Sequence, residues 1–552
     1  MSAIVKDDPD VRLYFPQYLA SVGMLLITGA TTPPLGASEI QVDITSNDGV
    51  RTLVAGVSPF SRRIAGARGA DLLYLEDGTF YALLDVPPLQ IVTEVAISAD
   101  FSPLRRRLAP QHVEWPDALV ADFRDLQAHG VQSDAVRRLF DAEQMRVLAL
   151  ATWAWLKANP GQFAPVPDDV AIMIGEAARK AVLPVLTVPV LTAGLPRRLR
   201  PTESRRYYPE RFDILCEALK FSKDAKRLIE EEVAINGANG WTHLNEGHVH
   251  WTAGDLAAAD ESYARAAALL AENDHRGSHT NDGVFTWRDK ATADRTVGTY
   301  DPTPSLVSPP PDGRIVHLIA CDDGYFQRFG NACITSSLDA GHNDVIVHVH
   351  VCNPSDSTIQ TLRAWAARDD VIVRFTTEQR EVVSKTLYTC LRYFQAQSVA
   401  KRYLRPLMIT DADMVVNRPW REVRDELAAA DAAFMSPAPV AWLTDRPAKP
   451  WAIPAGAVYF ARTTAGMSFL TYTVRYIEAL LTFPRERYWY RVWSLDQVAL
   501  GRAFMSVLLP ASAKVRNLRQ VRFFRGPAMA AGGKDTLGSG AAPGPHEVAR
   551  YE

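Results

Sequence analysis

The feature that most constrains the fold is an alternation of short apolar runs and helical stretches that begins at Arg314. Runs that are apolar at nearly every position are typical of strands buried on both faces, and strands separated by helical stretches usually pair in parallel. The runs are 315–320, 345–351, 371–375 and 407–410, and 326–340 has the composition of a helix. This pattern predicts a C-terminal α/β domain with a mainly parallel, Rossmann-like sheet.

The fourth of these runs leads directly into Asp411-Ala412-Asp413. Ligands of open α/β sheets bind beyond the carboxyl ends of the strands, so the motif lies where a site is expected. Two carboxylates this close repel each other unless a cation lies between them. A hard divalent ion that bridges carboxylate and diphosphate oxygens satisfies both groups. The alternative interpretation is a turn with solvated charges.

Polar residues also follow the first apolar run, in the segment from Ala320 to Tyr325. Asp322 can accept a hydrogen bond from a base or a ribose, and Tyr325 can stack on a base. The alternative interpretation is an ordinary strand-to-helix turn in which Asp323 caps the helix.

Two later segments have similar potential. Asp496 and Gln497 begin an apolar helix and can contact sugar hydroxyls or a reacting carbon. The alternative interpretation is structural: Ser494 caps the helix and Asp496 complements the helix dipole. Gly456 stands just before an apolar run, where glycine permits close approach of a substrate and also suits a simple turn.

In their order along the chain, these segments resemble a GT-A-fold glycosyltransferase, and they are most similar to the retaining galactosyltransferase and glycogenin-like family. The resemblance covers about 314–525, which is under half of the chain. The segments that carry it are Asp322-Asp323-Gly324-Tyr325, Arg392, Asp411-Ala412-Asp413, Ala455-Gly456 and Asp496-Gln497.

The resemblance implies a role for each matching position. Asp411 and Asp413 are implied to bind a divalent metal, manganese or magnesium, with Asp411 also near the ribose. The residues implied to bind the nucleotide-sugar donor are Ala320, Asp322, Tyr325, Asp411 and Gly456. The residues implied to act at the diphosphate and the anomeric carbon are Arg392, Asp496 and Gln497. A surface arginine is the alternative for Arg392.

One position departs from the family pattern. The family takes a third metal ligand from a histidine in a His-Phe-x-Gly segment late in the domain. Here the similar segment is Phe523-Phe524-Arg525-Gly526, and the next histidine is His546. The metal site therefore has two protein ligands by this alignment, or another residue replaces the third. Lys534 offers positive charge for the diphosphate instead.

The function implied is transfer of a sugar from a nucleotide-sugar, a UDP-sugar by resemblance, to a hydroxyl of a glycan, a lipid-linked sugar or a protein. Retention at the anomeric carbon is the family expectation. The missing histidine favours an alternative, an interaction scaffold with a degenerate, non-catalytic domain of the same type. A nucleotide-sugar pyrophosphorylase has a similar sheet, but the sequence after Ala320 lacks its glycine-rich phosphate loop.

The sequence before this domain predicts two accessory domains. Residues 1–112 contain β-rich runs separated by turn residues and suggest a small β-sandwich. Residues 113–273 have helical periodicity, notably at 136–158 and 225–235. Gly247, Ala259 and Tyr263 fall at the spacing of a tetratricopeptide unit. Such a unit would offer a surface for a protein partner. An ordinary helical hairpin is the alternative. Residues 274–312 are predicted to be a linker, 313–525 the α/β domain and 526–552 a loose tail.

Composition limits the remaining classes. With 60 basic against 63 acidic residues and a net charge of −3, nucleic acid is not an expected partner. The five cysteines lack CxxC spacing, which argues against a disulfide framework or thiolate zinc site. No transmembrane segment or signal peptide is predicted. The sequence predicts a cytoplasmic protein and leaves a peripheral attachment to the membrane open.

Overall fold

The computed structural model of the protein describes most of the chain. The described ranges are 11–31, 39–46, 49–56, 72–74, 79–85, 92–99, 102–108, 111–159, 167–180, 191, 207–219, 221–270, 282–288, 312–381, 384–435, 449–481, 494–518 and 524–525. The residues group into two compact units, Met1–Ala238 and Asn239–Glu552.

The first unit begins with strands. They are β1 (Val11–Leu19), β2 (Met24–Thr31), β3 (Glu39–Ser46), β4 (Gly49–Gly56), β5 (Leu72–Tyr74), β6 (Thr79–Asp85), β7 (Val92–Ala99), β8 (Ser102–Leu108) and β9 (Gln111–Val113). One sheet has the order β5-β6-β2-β1-β9 and the other the order β4-β3-β7-β8. The β-rich runs behind the sandwich prediction, 24–28, 40–44, 79–84 and 91–97, are observed as β2, β3, β6 and β7. The sandwich arrangement of the two sheets stays a prediction.

Helices complete the first unit. They are α1 (Asp117–His129), α2 (Ala135–Asp141), α3 (Met145–Ala158), α4 (Asp168–Lys180), α5 (Tyr207–Ala218) and α6 (Lys223–Asn236). The helical run predicted at 136–158 is divided into α2 and α3. Glu143 lies between them with a φ of 56°, a left-handed conformation that no right-handed helix can continue through.

The second unit begins with a helical hairpin, α7 (Gly240–Ala253) and α8 (Leu256–Leu269). Asn239 and Thr242 form a capping box at the start of α7, and Gly254 ends it in the left-handed conformation, with a φ of 82°. A Cβ on Gly247 would lie 2.5 Å from Cε1 of Tyr263, so the glycine makes room for the tyrosine ring between the helices. Assignment of this pair as a tetratricopeptide unit remains a prediction.

Part of the segment predicted as a linker packs beside this hairpin. Asp282–Arg288 form a 3-10 helix, and Val284, Phe285 and Trp287 are buried in it. Arg288 donates hydrogen bonds to the carbonyl oxygens of Ala267 (2.9 Å) and Leu270 (3.2 Å), at the end of α8.

The α/β part of the second unit follows the predicted alternation. Its strands are β10 (Ile315–Asp322), β11 (Val345–Cys352), β12 (Val373–Glu378), β13 (Leu407–Thr410), β14 (Val415–Val416), β15 (Ala432–Phe434), β16 (Ala457–Phe460), β17 (Val515–Asn517) and β18 (Phe524–Arg525). Its helices are α9 (Asn331–Asp339), α10 (Asp356–Ala366), α11 (Lys385–Tyr403), α12 (Trp420–Leu427), α13 (Thr464–Leu481) and α14 (Leu495–Ala503). A π-helical turn, Phe326–Gly330, leads into α9.

The described strands form a seven-stranded sheet of order β12-β11-β10-β13-β16-β15-β17. Strands β12, β11, β10 and β13 are parallel to their neighbours, as are β15 and β17, whereas β16 is antiparallel to both neighbours. All of β11 and all but the last residue of β10 are buried, which explains their continuous apolar runs. The predicted α/β domain with a mainly parallel sheet is confirmed.

Among the helices that the structure describes, none combines the length and the apolar character needed to cross a membrane.

Candidate active site

The site is built at the carboxyl edge of the neighbouring parallel strands β10 and β13. Thr410, the last residue of β13, pairs with Ile319 of β10. Asp411 therefore leaves the sheet beside the strand that ends in Asp322. The predicted Asp-x-Asp motif and the predicted polar end of the first strand lie at the same edge, as expected for the carboxyl ends of parallel strands.

A buried histidine that the sequence analysis missed, His317 of β10, hydrogen-bonds to the end of β13. His317 Nε2 lies 2.7 Å from the Thr410 hydroxyl and Nδ1 lies 2.9 Å from the Ser337 hydroxyl. Burial lowers the pKa of His317 to about 3, so the ring is neutral and acts as a structural hydrogen-bonding group. It fixes the residue that directly precedes Asp411.

Arg392 lies at the centre of the site. It projects from α11, and its guanidinium forms ion pairs with Asp411 and, at 2.8 Å, with Asp496. The residue is only 5% exposed, and its Nε is buried without a hydrogen-bond partner among the described residues. A surface arginine is therefore the wrong interpretation, because this cation is held inside the protein between two carboxylates from distant parts of the chain.

Asp496 and Gln497 lie at the start of α14, where the sequence predicts a helix. Asp496 is 1% exposed, and its Oδ1 accepts a 2.8 Å hydrogen bond from the backbone N–H of Gln497. Burial raises the pKa of Asp496, and the ion pair with Arg392 opposes that rise. A buried carboxylate fixed against a buried guanidinium is a preorganised electrostatic pair.

Asp413 is bound from the other side by Tyr325. The Tyr325 hydroxyl donates a 2.6 Å hydrogen bond to Asp413 Oδ2, and its ring packs on Phe329 with centroids 4.8 Å apart. Burial and this hydrogen bond raise the pKa of Tyr325, so its proton is retained at neutral pH. The tyrosine expected to stack on a base thus also orients the second aspartate.

The cap of the short turn after β10 is Asp322, and the alternative expectation of a cap at Asp323 is wrong. Asp322 Oδ1 accepts from the backbone N–H of Tyr325 at 3.0 Å. Asp323 instead accepts from the N–H (2.9 Å) and hydroxyl (3.0 Å) of Ser355.

Gly456 lies against the first aspartate. Its carbonyl accepts a 2.9 Å hydrogen bond from the Asp411 N–H. A Cβ at this position would lie 3.1 Å from Asp411 Oδ2 and 3.2 Å from Met414 Cε, so any side chain would crowd the carboxylate. The glycine keeps this side of Asp411 open.

Ala320 lies apart from the charged groups, in a small cluster with Leu387 and Leu391 of α11. Tyr388 packs on this cluster, and burial and the charge of Asp322 raise its pKa. Tyr388 is a second residue that the sequence analysis missed. Its position one helical turn before Arg392 is the signal that places both on one face of α11.

The late segment of the predicted family pattern is described only in part. Strand β18 pairs antiparallel with β14, with Phe524 opposite Val416 and Arg525 opposite Val415. This pairing brings the segment alongside the chain just after Asp413. Phe523, Lys534 and His546, which the sequence analysis considered for the metal or the diphosphate, lie outside the described residues.

The two aspartates at this edge have the chemistry of a divalent-cation site. Asp411 and Asp413 supply hard carboxylate oxygens from a single turn, the ligand type that manganese and magnesium accept. In the described part of the chain, no group of three or more His, Cys, Asp or Glu side chains is arranged to hold a metal ion. The donor set at this edge therefore consists of two carboxylates, and Asp411 and Asp413 are the residues that would hold a divalent cation.

No protein-family model and no curated protein matches the chain. Solved structures similar to part of it include the apo form of the glycosyltransferase GlyE of Streptococcus pneumoniae TIGR4, at 15% identity over 37% of this chain and 45% of that chain, with a TM-score of 0.25. The chain thus spans less than half the length of GlyE.

Two other similar structures come from complexes. The galactosyltransferase LgtC, with donor and acceptor sugar analogues, is 12% identical over 33% of this chain and 70% of that chain, with a TM-score of 0.23. The mannosyltransferase PcManGT from Pyrobaculum calidifontis, with GDP-Man and Mn²⁺, is 14% identical over 46% of this chain and 83% of that chain, with a TM-score of 0.21. TM-scores this low assign neither fold nor activity to this chain.

Proposed function

We propose that this protein is a glycosyltransferase that moves a sugar from a nucleotide-sugar, a UDP-sugar, to the hydroxyl of an acceptor. The observation that carries the proposal is the buried Arg392, held between Asp411 and Asp496 with its Nε unpartnered among the described residues. A buried, planar guanidinium at the carboxyl edge of a parallel sheet favours an anionic ligand whose oxygens accept its N–H groups, such as a diphosphate.

A divalent cation fits the same edge, and Asp411 and Asp413 are the residues that would hold it. When bound, such an ion supplies positive charge that offsets the negative charge of a leaving diphosphate. The Tyr325 hydroxyl orients Asp413, and Gly456 leaves space beside Asp411. These contacts prepare both carboxylates for a ligand before one arrives.

The reaction breaks the bond between the anomeric carbon and the diphosphate oxygen, and the electron pair leaves with the diphosphate. The acceptor oxygen forms the new bond to the anomeric carbon, and its proton passes to the departing diphosphate. Arg392 contributes electrostatic stabilisation where negative charge develops on the leaving group. Asp496, fixed against Arg392, and its neighbour Gln497 are assigned to the sugar, at the anomeric carbon and its hydroxyls.

The nucleoside is assigned to the end of β10. Asp322 and Tyr325 lie there, and Ala320 and Tyr388 form an adjacent apolar surface. The acceptor is a glycan, a lipid-linked sugar or a protein, and the helical region is a surface on which a protein partner can bind.

The proposal is tested by a donor screen. Purified protein is incubated with UDP-, GDP- and other nucleotide-sugars, with manganese, with magnesium or with chelator, and release of nucleoside diphosphate is measured. Manganese-dependent release of UDP from one UDP-sugar supports the assignment. Absence of release from every donor, together with absence of UDP binding at millimolar concentration, would instead favour an interaction scaffold.

The aligned position of the missing histidine gives one prediction. If 523–526 occupies the family's histidine segment, Phe523→His adds an imidazole ligand beside Asp413 and tightens manganese binding by about tenfold, or about 1.4 kcal/mol. Manganese titration and thermal melting are measured together. If Phe523 only packs in the core, the buried polar ring lowers the melting temperature without a gain in affinity, and the alignment is rejected.

A second prediction concerns the part of the chain that suffices for nucleotide binding. The compact unit 239–552 is expected to bind UDP with the affinity of the whole chain in calorimetry. The shorter 314–525, bounded by composition alone, lacks the hairpin and 282–288. Equal affinity and melting temperature for both fragments would show that the hairpin contributes nothing to nucleotide binding or to the stability of the α/β part.

A further inference from the structure

The helix that carries Asp496 also carries a second buried charge, which the proposed reaction does not use. Arg502 lies six residues after Asp496 on α14 and is 5% exposed. At 1.5 Å of rise per residue, the two side chains are about 9 Å apart along the helix axis. Asp496 contacts Arg392 at one end, and Arg502 is held by the helical hairpin at the other.

The contact between Arg502 and the hairpin is a two-point ion pair. Arg502 Nη1 donates to Asp260 Oδ1 at 3.0 Å, and Nη2 donates to Oδ2 at 3.1 Å. The guanidinium also lies 5.8 Å from the ring of Trp251 and 5.9 Å from that of Trp287. Paired hydrogen bonds from a planar guanidinium restrict both position and rotation, unlike a single contact.

Asp260 is itself fixed by the segment 282–288. Trp287 Nε1 donates a 2.9 Å hydrogen bond to Asp260 Oδ1, while Arg288 binds the carbonyl oxygens at the end of α8. Among the described residues, the carboxylate thus receives hydrogen bonds from two different segments, α14 and 282–288. The bond from Trp287 restrains Asp260 independently of α14.

The body of α14 is packed too closely to slide. A Cβ on Gly501 would lie 1.8 Å from the Pro450 carbonyl oxygen, and one on Gly283 would lie 2.7 Å from Trp451 and 2.9 Å from Val498. Gly501 of this helix therefore meets the backbone of Pro450, and the Val498 side chain meets the backbone of Gly283. These contacts resist sliding of α14, and the Arg502–Asp260 pair adds a restraint on its rotation about its axis.

We infer that Asp260 is a positioning residue for Asp496: the hairpin, through Arg502, sets the rotation of α14 and thereby the place of the Asp496 carboxylate against Arg392. This inference rests on the proposed function for its effect on turnover. By this inference the helical hairpin contributes to the geometry of the transfer site. Asp260 acts through α14 and does not touch the substrate.

The test uses the full chain with Asp260→Asn, which keeps the shape of the side chain and removes its charge. Turnover is expected to fall on the order of 10- to 100-fold, since displacement of a reacting group by about 1 Å has effects of that size. Affinity for UDP, which lacks the sugar that Asp496 addresses, should stay unchanged. Amide hydrogen exchange across 495–503 should accelerate. Arg502→Lys, which keeps the charge but loses the paired hydrogen bonds, should behave alike.

Glu261→Gln is the matched control, because Glu261 is the next residue on α8 and forms an exposed pair with Arg265. It should match wild type in turnover, UDP affinity and exchange. Turnover of Asp260→Asn within twofold of this control, or a parallel loss of UDP affinity, would overturn the positioning role. If wild type neither binds UDP nor turns over a donor, the proposed function fails, and unchanged exchange across 495–503 would still reject the positioning role separately.

Discussion

Replacing Asp411 or Asp413 by asparagine is expected to lower sugar transfer by at least about 10²-fold, or about 2.7 kcal/mol in the activation barrier. Removing one charge from a two-carboxylate site weakens the binding of the cation that stabilises the leaving diphosphate. The measurement is the steady-state rate of nucleoside diphosphate release at saturating donor and at the lowest manganese concentration that saturates the wild type, with each variant purified and checked for an unchanged melting temperature.

The fold should survive both changes. The Asp411 side chain is 38% exposed, so an asparagine there stays solvated, and Arg392 keeps its ion pair with Asp496. Asparagine at 413 still offers an oxygen to the Tyr325 hydroxyl, which donates to Asp413 in the wild type. Asp425→Asn, on the exposed surface of α12, is the matched control and should be fully active. Turnover near the wild-type rate in either 411 or 413 variant would remove the metal assignment.

The sheet could be predicted from the sequence because each inner strand is a short, uninterrupted apolar run. The run at 407–410 is observed as β13 with the same limits, since Arg405-Pro406 and Asp411 bound it on both sides. The run at 371–375 is shifted, because β12 extends to Glu378 through polar residues. Thr376 pairs with His350 and Glu378 with Cys352 in the register with β11, so backbone pairing rather than apolar character ends the strand.

The side-chain partners of the site could not be predicted in the same way. Arg392 pairs with Asp411 and Asp496, which are 19 and 104 residues away in sequence. Periodicity within one helix does not predict such long-range pairs. The Tyr325 hydroxyl likewise reaches Asp413 across 88 residues. Only Tyr388, four residues before Arg392, had a local signal that could have placed it at the site.

Composition also conceals packing in the segment 274–312. Its polar and turn-forming residues predict a linker, yet Val284 and Trp287 are buried and Trp287 binds Asp260. Two or three apolar residues within a polar stretch are too few to register in composition. In the described part, 282–288, they are enough to tie a short segment to the hairpin.

The second large effect is expected for Arg392→Met, which should lower the free energy of unfolding by about 3–5 kcal/mol, the usual range for removing one partner of a buried ion pair. Asp496, 1% exposed, would lose its counter-charge, whereas the more exposed Asp411 can be solvated by water. Chemical unfolding of the variant measures the change. Arg368→Met, which breaks an exposed pair with Asp370, is the control and should shift stability by at most about 1 kcal/mol.

The pH dependence identifies Asp496 as the source of this loss. Burial already raises the pKa of Asp496, and Arg392 opposes the rise, so Arg392→Met should raise that pKa further. A carboxyl whose pKa is higher in the folded state than its usual value of about 4 stabilises the fold when protonated, and that stabilisation disappears as the pH rises through the folded pKa. The difference in unfolding free energy between wild type and Arg392→Met should therefore be largest at neutral pH and become smaller towards pH 4.

The double variant Arg392→Met/Asp496→Asn removes the titrating group and serves as the reference for this experiment. It should be more stable than Arg392→Met at pH 7, because a neutral amide is easier to bury than an unpaired carboxylate. The difference between the two should vanish at low pH, where Asp496 is protonated. A difference that is constant from pH 5 to pH 8 would show that Arg392 stabilises the fold through its packing and not through its charge on Asp496.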